Sequence, residues 1–435
     1  MDLYKSFSEQ ARFGPLCILP FNQLVIDANG DCYPCEALRG QQEYNLGNIY
    51  SNNFQDIWNG ELIKSFRLRM LNKKRTLSCD MACHEDYETS CKSLNPINFF
   101  PKFINNIDKI NFDGTVSFLP STFFLKTSNI CNLACQYCKE ESSTTWSLTK
   151  NKVFHKNYQI EKKDSITEKL CEIIVENSDD LECLYFSGGE PSLVPSYSKM
   201  LKYILDKKGS NLKVAAASNI SQLNDTSKTF FNLLNQFRDA MVFCSLDSHN
   251  EINDYIRMFS SFNKSKETFS YIKSNLPNIK IHINSVISIF NALSIFDFHK
   301  EWYDEGLVEI DSFRYVLCQF PKIFNILYLS DDTKEKIIEY FINYINWLKI
   351  NENNNNDYPN NGIRNYIYLK KYVVDLLTLK YPEKQDFLDI RKKQKEYLEK
   401  ISLSKITLPK SLDFIKDDFL RPVIRYNKDL IYLTK

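Results

Sequence analysis

Residues 122–138 read TFFLKTSNICNLACQYC. The opening run, TFFLKTS (122–128), has the apolar and aromatic composition of a strand. Three cysteines follow at once: Cys131, Cys135 and Cys138, spaced C-x3-C-x2-C. Thiolates are the usual ligands of iron–sulfur clusters. Three close cysteines hold three irons of a cubane and leave the fourth without a protein ligand. An open coordination position marks a catalytic metal rather than a structural one, by the logic that separates the two kinds of zinc site. A zinc finger would want a fourth Cys or His nearby. The nearest histidine, His155, lies well outside the loop, and no adjacent cysteine completes a set.

Outward from this stretch the pattern repeats. LECLYFSGG (181–189), LKVAAASN (212–219), MVFCSLDS (241–248), IKIHINSVIS (279–288) and VEIDSFRYVL (308–317) are strand-like. Candidate helices lie between them near 165–178, 196–208, 226–238, 264–275 and 293–304. Alternation of this kind predicts βαβ units and a parallel sheet. Right-handed crossovers would curl six units into a partial (β/α)6 TIM-like barrel. Its functional loops belong at the C-terminal ends of the strands. The motifs fall there. Strand two ends in Ser187-Gly188-Gly189-Glu190-Pro191, where two glycines let backbone approach a ligand and Pro191 opens the next helical turn. Glu190 is placed to accept from an ammonium group. Strand three ends at Ser218-Asn219. Strand four ends at Ser245-Leu246-Asp247, whose two polar side chains share a face. Arg257 follows, suited to pairing with a carboxylate. Val286 and Ile287 on strand five offer an apolar wall, and Asn291 comes just beyond.

The triad, with the aromatic Tyr137 before its last cysteine, resembles the signature of the radical SAM superfamily. That resemblance implies a [4Fe–4S] cluster whose open iron binds S-adenosylmethionine and whose electron cleaves it to a 5′-deoxyadenosyl radical. It implies that Gly188, Gly189 and Glu190 form the "GGE" element meeting the methionine amino group. It places Asn219, Ser245, Asp247, Arg257 and Val286 around the same cofactor: Ser245 and Asp247 on the ribose, Arg257 on the carboxylate, Val286 on the adenine.

The first hundred residues carry six more cysteines: Cys17, Cys32, Cys35, Cys79, Cys83 and Cys91. In CILPFNQLVIDANGDCYPC (17–35), DANGD reads as a hairpin turn between two apolar runs. LGNI (46–49) and an amphipathic helix near 54–71 follow, then Cys79 and Cys83. This block is similar to the twitch or SPASM auxiliary-cluster domain, through Cys17, Gly30, Pro34, Cys35, Gly47, Asn48, Ile57, Trp58, Asn59, Cys79 and Cys83. It departs in having Cys32 where a valine is usual, in the C-x3-C spacing of its last pair, and in preceding the barrel. SSTTW (142–146) also resembles radical SAM proteins with a twitch domain in that order. The resemblance implies a second [4Fe–4S] cluster on Cys17, Cys35, Cys79 and Cys83. Zinc suits four thiolates equally well. Cys32 and Cys91 stay open as alternative ligands.

The expected domains are an auxiliary domain over 1–112, the barrel over 113–325 and a helical extension over 326–435, with INENNNNDYPNNG (350–362) as a polar loop. Lone cysteines in apolar runs, Cys171, Cys183, Cys244 and Cys318, read as small buried hydrophobes. With basic and acidic residues balanced to +1, nothing suggests bulk attraction to nucleic acid or an anionic membrane. No secretory h-region or apolar span is read, which favours the cytoplasm, where clustered cysteines bind metal. The function expected is hydrogen-atom abstraction from a peptide or a small metabolite, fed by an electron donor such as flavodoxin or ferredoxin. The competing class is a non-enzymatic, zinc-stabilised binding protein.

Overall fold

The computed structural model describes residues 17–72, 74, 105–153, 161–176, 181–351, 369, 373, 384–403 and 408–420. Cys79, Cys83, Cys91 and most of the polar loop at 350–362 lie outside them. The frame is an eight-stranded sheet in the order β2-β1-β3-β4-β5-β6-β7-β8. The strands are β1 (Gln23–Ile26), β2 (Cys32–Tyr33), β3 (Thr122–Leu125), β4 (Cys183–Phe186), β5 (Lys213–Ser218), β6 (Asp239–Ser245), β7 (Ile279–Ile287) and β8 (Phe313–Leu317). Every pairing is parallel except that of β2 with β1. Helices Glu168–Glu176, Pro195–Lys208, Asp225–Leu234, Phe262–Asn275 and Ile295–Asp304 alternate with the strands from β3 onward, as the sequence pattern predicts. This is the α/β partial barrel.

Period-two alternation sets its two faces. Phe123, Leu184, Val214, Val242, Ile283 and Phe313 point outward into the helical layer and are fully buried. Phe124, Tyr185, Phe243 and His282 take the other face and stack across it, with ring centroids 4.4, 5.8 and 5.7 Å apart in turn. Ala215 and Ala217 occupy that face of β5, so the rings of Tyr185 and Phe243 meet over them. Strands four places apart in a flat sheet stand about 19 Å from each other. Yet the Arg314 guanidinium on β8 acts electrostatically on the Tyr185 phenol on β4. The sheet is therefore curled around this inner face. Cys171, Cys244 and Cys318 are buried core residues, whereas Cys183 is half-buried at the base of the inner face.

The N-terminal region joins the same sheet. β1 and β2 form the expected hairpin, and β1 lies parallel beside β3 as an added edge strand. Asp27 accepts from the Asn29 and Asp31 amides and so fixes the DANGD turn, with Gly30 at φ +87°. Asn48 closes over that turn by donating to Asn29 O and Asp31 Oδ1 (2.9 and 3.0 Å). The expected helix near 54–71 is two helices, Phe54–Asn59 and Glu61–Leu71, which break at Gly60. A Cβ at Gly60 would stand 2.1 Å from Asp56 O.

These helices are tied to the segment ahead of β3. Trp58 Nε1 donates to Phe118 O (2.9 Å), and Asn59 exchanges hydrogen bonds with the Val116 backbone. Arg67 is completely buried under them. It donates to Pro20 O, Asn59 Oδ1 and Gly114 O, and its guanidinium lies 4.4 Å from the Trp58 ring centroid. Burial pulls its pKa down to about 9.

The extension after β8 is helical where described. Helix Asp331–Asn351 packs Phe341 and Tyr344 against Phe296, and Tyr344 shares a hydrogen bond with His299 Nδ1 (2.5 Å). Helix Lys384–Leu403 is anchored by a buried ion pair between Arg391 and Asp418, the latter on helix Asp413–Leu420.

Replacing Arg67 by Met would take the Arg67 donor from the buried Pro20 O and Gly114 O, at about 1–3 kcal/mol each, and one of two donors from Asn59 Oδ1. Arg67→Met is expected to lower the melting temperature measured by circular dichroism, with a loss on the order of 3 kcal/mol. A melting curve like that of the wild type would contradict the role given to this side chain.

Candidate metal centre

The cysteine loop has almost no regular structure, so its shape comes from neighbours on both sides. On one side, β4 continues past its last strand residue. Gly189 N donates to Ser128 O and Glu190 N to Ile130 O, both at 2.7 Å. This contact requires glycine. Gly188 sits at φ +107°, and a Cβ there would be 2.5 Å from Ser128 O. At Gly189 a Cβ would stand 2.1 Å from Ile130 O. On the other side, Ala134 N donates to Met258 O (3.1 Å) and Gln136 N to Ile256 O (2.8 Å). The SSTTW segment closes the third side. Ser143 Oγ, Thr145 Oγ1 and Trp146 Nε1 donate to the carbonyls of Leu133, Cys131 and Cys135 at 2.6, 2.7 and 2.6 Å.

Cys131, Cys135 and Cys138 are thus presented from one loop. Burial raises all three thiols, that of Cys131 to about 12. Positive charge opposes this. Arg257 lowers Cys135 and Cys138, and Lys126 also lowers Cys138. Two donors face the sulfurs: Asn219 Nδ2 is 3.9 Å from Cys131 Sγ, and Arg257 is 3.8 Å from Cys135 Sγ. Donors aimed at sulfur are among the means by which a protein tunes a bound cluster. Among the described residues no three His, Cys, Asp or Glu side chains converge on a single ion. A cubane places each thiolate on a different iron, and this donor set of soft sulfurs with N–H groups beside them fits one.

The other expected cofactor residues fall into two groups around the loop. Gly188, Gly189, Glu190 and Asn219 stand beside Cys131. Glu190 is 1 % exposed and accepts from Ser192 N, Ser192 Oγ, Ser218 Oγ and Asn219 N. Its burial raises the carboxyl, and those four donors pull it back. Tyr137, Asp247, Arg257 and Val286 gather beside Cys135. Asp247 is fully buried: Oδ1 accepts from Val286 N (2.8 Å), while Oδ2 meets Arg257 Nε (2.7 Å) and the Tyr137 hydroxyl. Ser245 ends β6, half-buried on the inner face, while Asp247 lies past the strand within the protein. Asn291 is also buried and braces this corner by donating to Asp247 O and Val286 O (2.5 and 2.8 Å).

In the N-terminal region Cys17 and Cys35 are half-exposed, and Cys35 immediately precedes the 3-10 turn Glu36–Leu38. Cys32 is fully buried among core residues with its thiol toward Gly30 O. Glu36, next to Cys35, pairs with Lys126 on the continuation of β3. The sequence pattern missed Arg67, Ser143 and Trp146 as supports. Arg67 sits among ordinary helical basic residues, and the other two are legible only through the SSTTW likeness.

The family model described as the radical SAM superfamily matches residues 125–290, from the end of β3 to just beyond β7. The model of the SPASM iron–sulfur cluster-binding domain matches residues 17–85, which include Cys17, Cys32, Cys35, Cys79 and Cys83. In this chain the stretch matched by the SPASM model thus precedes the stretch matched by the radical SAM model. The radical SAM match implies a [4Fe–4S] cluster with S-adenosylmethionine, and the SPASM match implies auxiliary iron–sulfur. Among solved structures the chain is similar to anSMEcpe with bound AdoMet, at 14% identity over 53% of this chain and 62% of that one, with a TM-score of 0.40. It is similar to Streptococcus suis SuiB bound to S-adenosylmethionine, at 15% identity over 59% and 51%, with a TM-score of 0.35. Streptococcus suis SuiB bound to precursor peptide SuiA gives 14%, 67% and 61%, with a TM-score of 0.37. The chain spans about three-fifths of the length of the first of these. No curated protein matches it.

Gly189→Ala tests the support of the loop. The added methyl would push the strand leading to Cys131 out of place. After anaerobic reconstitution the variant is expected to lose the iron and sulfide of one cluster relative to wild type. Full iron content in the variant would show that the loop does not depend on this contact.

Proposed function

We propose that the chain is an enzyme that reductively cleaves S-adenosylmethionine at a cluster held by Cys131, Cys135 and Cys138 and abstracts a hydrogen atom from its substrate. The observation that carries this is the triad loop with donors on its sulfurs, fixed between the Gly188–Glu190 turn and the Asp247–Arg257 pair. When bound, the reduced cluster and S-adenosylmethionine supply a 5′-deoxyadenosyl radical.

The chain's own residues hold and orient. Glu190, whose carboxyl oxygens accept from four donors, is suited to an ammonium group at the end of β4. Arg257 is suited to a carboxylate beside Cys135, with Asp247 fixing its guanidinium. Asp247 acts mainly by setting Arg257, Tyr137 and Val286, and Ser245 is the freer candidate for a ribose hydroxyl. Tyr137 and Val286 offer flat and apolar surface to adenine. The ring ladder Phe124, Tyr185, Phe243 and His282 forms an aromatic floor on the inner face, where a substrate would sit during hydrogen abstraction.

The N-terminal cysteines Cys17, Cys35, Cys79 and Cys83 are the ligand set we assign to the auxiliary cluster. The burial of Cys32 in the core favours leaving it out of that set. The substrate classes are a peptide or a small metabolite. A one-electron donor of flavodoxin or ferredoxin type is required by the chemistry, and the cytoplasm is the compartment that keeps such thiols reduced. Among the described residues no helix is long and apolar enough to cross a membrane.

The test is reconstitution under anaerobic conditions, reduction with dithionite and chromatography for 5′-deoxyadenosine. Wild type is expected to form it from S-adenosylmethionine, and Cys138→Ser to fall to background. Cys35→Ser is expected to keep the cleavage while losing part of the iron. Colourless protein that takes up zinc at both sites and forms no 5′-deoxyadenosine would overturn the proposal.

A further inference from the structure

The helix Lys384–Leu403 turns one face to the barrel. Arg391, Gln394 and Tyr397 recur on it every three residues, and Arg391 and Gln394 are buried. Gln394 Nε2 donates to Ile323 O (3.0 Å), and Arg391 is held by Asp418. Tyr397, one turn further on, packs its ring on Phe324 and Phe290 (centroids 5.1 and 6.3 Å apart). Its hydroxyl reaches the cysteine loop: it lies 3.1 Å from Gln136 Oε1 and 3.0 Å from the Tyr255 hydroxyl. Gln136 sits between Cys135 and Tyr137.

Gln136 Nε2 donates to Tyr255 O (3.3 Å), so its Oε1 is the acceptor left facing Tyr397. Tyr397 must therefore donate to Gln136. Its single proton is then committed, so the Tyr255 hydroxyl must donate to Tyr397. The order is Tyr255 to Tyr397 to Gln136, each member completing the next, which strengthens such a chain. Gln136 is the residue through which this reaches the metal site. Its backbone N–H is bonded to Ile256 O, next to Arg257, whose guanidinium faces Cys135 Sγ. Tyr137, on its other side, meets Asp247. A shift of Gln136 moves Cys135 and Tyr137 together.

We propose that Tyr397 is a positioning residue for the cluster loop, so that the C-terminal extension is part of the cofactor site. It acts through Gln136, setting the Cys135–Tyr137 turn against Arg257 and Asp247. The proposal rests on the function proposed above, because it takes the triad as the seat of a cluster that binds S-adenosylmethionine.

The test uses the full-length, anaerobically reconstituted holoprotein. Iron and sulfide content, melting temperature and the electron paramagnetic resonance spectrum of the reduced cluster are measured with and without S-adenosylmethionine. Titration of the spectral change gives the dissociation constant. Tyr397→Phe is expected to keep iron content and melting temperature while weakening S-adenosylmethionine binding about tenfold, or about 1.4 kcal/mol. Gln136→Leu is expected to do the same. The double variant should bind no worse than Gln136→Leu alone, because Gln136→Leu already removes the Tyr397–Gln136 bond through which Tyr397 acts. Variants that bind as wild type does, or losses that add, would overturn the positioning role. Should Tyr397→Phe not fold, Gln136→Leu decides alone, since it leaves the helix untouched. A wild type whose spectrum does not respond to S-adenosylmethionine refutes the proposed function itself; a responsive wild type with variants that bind as tightly refutes only the role of Tyr397.

Discussion

Two glycines allow the backbone after β4 to lie directly against the backbone that leads to Cys131. The rim of the barrel depends on this contact. Parallel strands ordinarily diverge into loops beyond their last ladder bond. Here Gly189 N and Glu190 N extend the pairing to Ser128 O and Ile130 O, so Cys131 leaves the sheet at a fixed point. The same turn aims the Glu190 carboxylate back at the end of β5, where Ser218 and Asn219 donate to it. Asn219 in turn faces Cys131 Sγ. The chain of contacts from strand end to carboxylate to amide to sulfur is closed. No member can move without breaking a buried hydrogen bond, a cost of about 1–3 kcal/mol when a partner is orphaned.

The far side of the loop uses charge. A buried carboxylate and guanidinium are costly to desolvate, and such a pair rarely adds net stability over an apolar substitute. Its value at this position is directional. Asp247 has one oxygen on the β7 backbone and the other toward Arg257 and Tyr137. It therefore orients a cation toward Cys135 Sγ and holds the Tyr137 hydroxyl at once. The spacing of Ser245 and Asp247 suggests two equivalent contacts to one ligand. In the fold they differ, because β6 ends at Ser245 and the chain bends before Asp247.

The strands from β3 to β8, the crossover helices between them and the triad were all legible, because each rests on local periodicity or close spacing. What escaped is non-local. β1 reads as part of a separate cysteine-rich block, yet its four residues pair with β3 across nearly a hundred positions of chain. Nothing in a four-residue apolar run names its partner strand. Arg67 looks like any basic residue on a helix between Lys64 and Arg69, and only its burial under Trp58 sets it apart. The interruption at Gly60 was visible as a residue but not as a break, since a lone glycine within a helical pattern is tolerated. Tyr397 belongs to a polar, lysine-rich helix that reads as a cap packed on the barrel, but nothing in its composition names the cysteine loop, and its partner Gln136 lies 261 residues away.

These non-local ties share a destination. From the N-terminal side, Glu36 beside Cys35 meets Lys126, whose charge acts on Cys138. From the C-terminal side, Tyr397 meets Gln136 beside Cys135. A (β/α) barrel of this kind is open at its edge strand, and its cysteine loop has little regular structure, so neither would be rigid on its own strand contacts alone. The two flanking regions supply what the barrel lacks. One adds a strand to the open edge beside β3, and the other packs an aromatic hydroxyl against the loop. Under the function proposed above the loop needs both, because a radical intermediate demands fixed geometry and exclusion of water. Regions that look like appendages in the sequence are, on this argument, walls of one site.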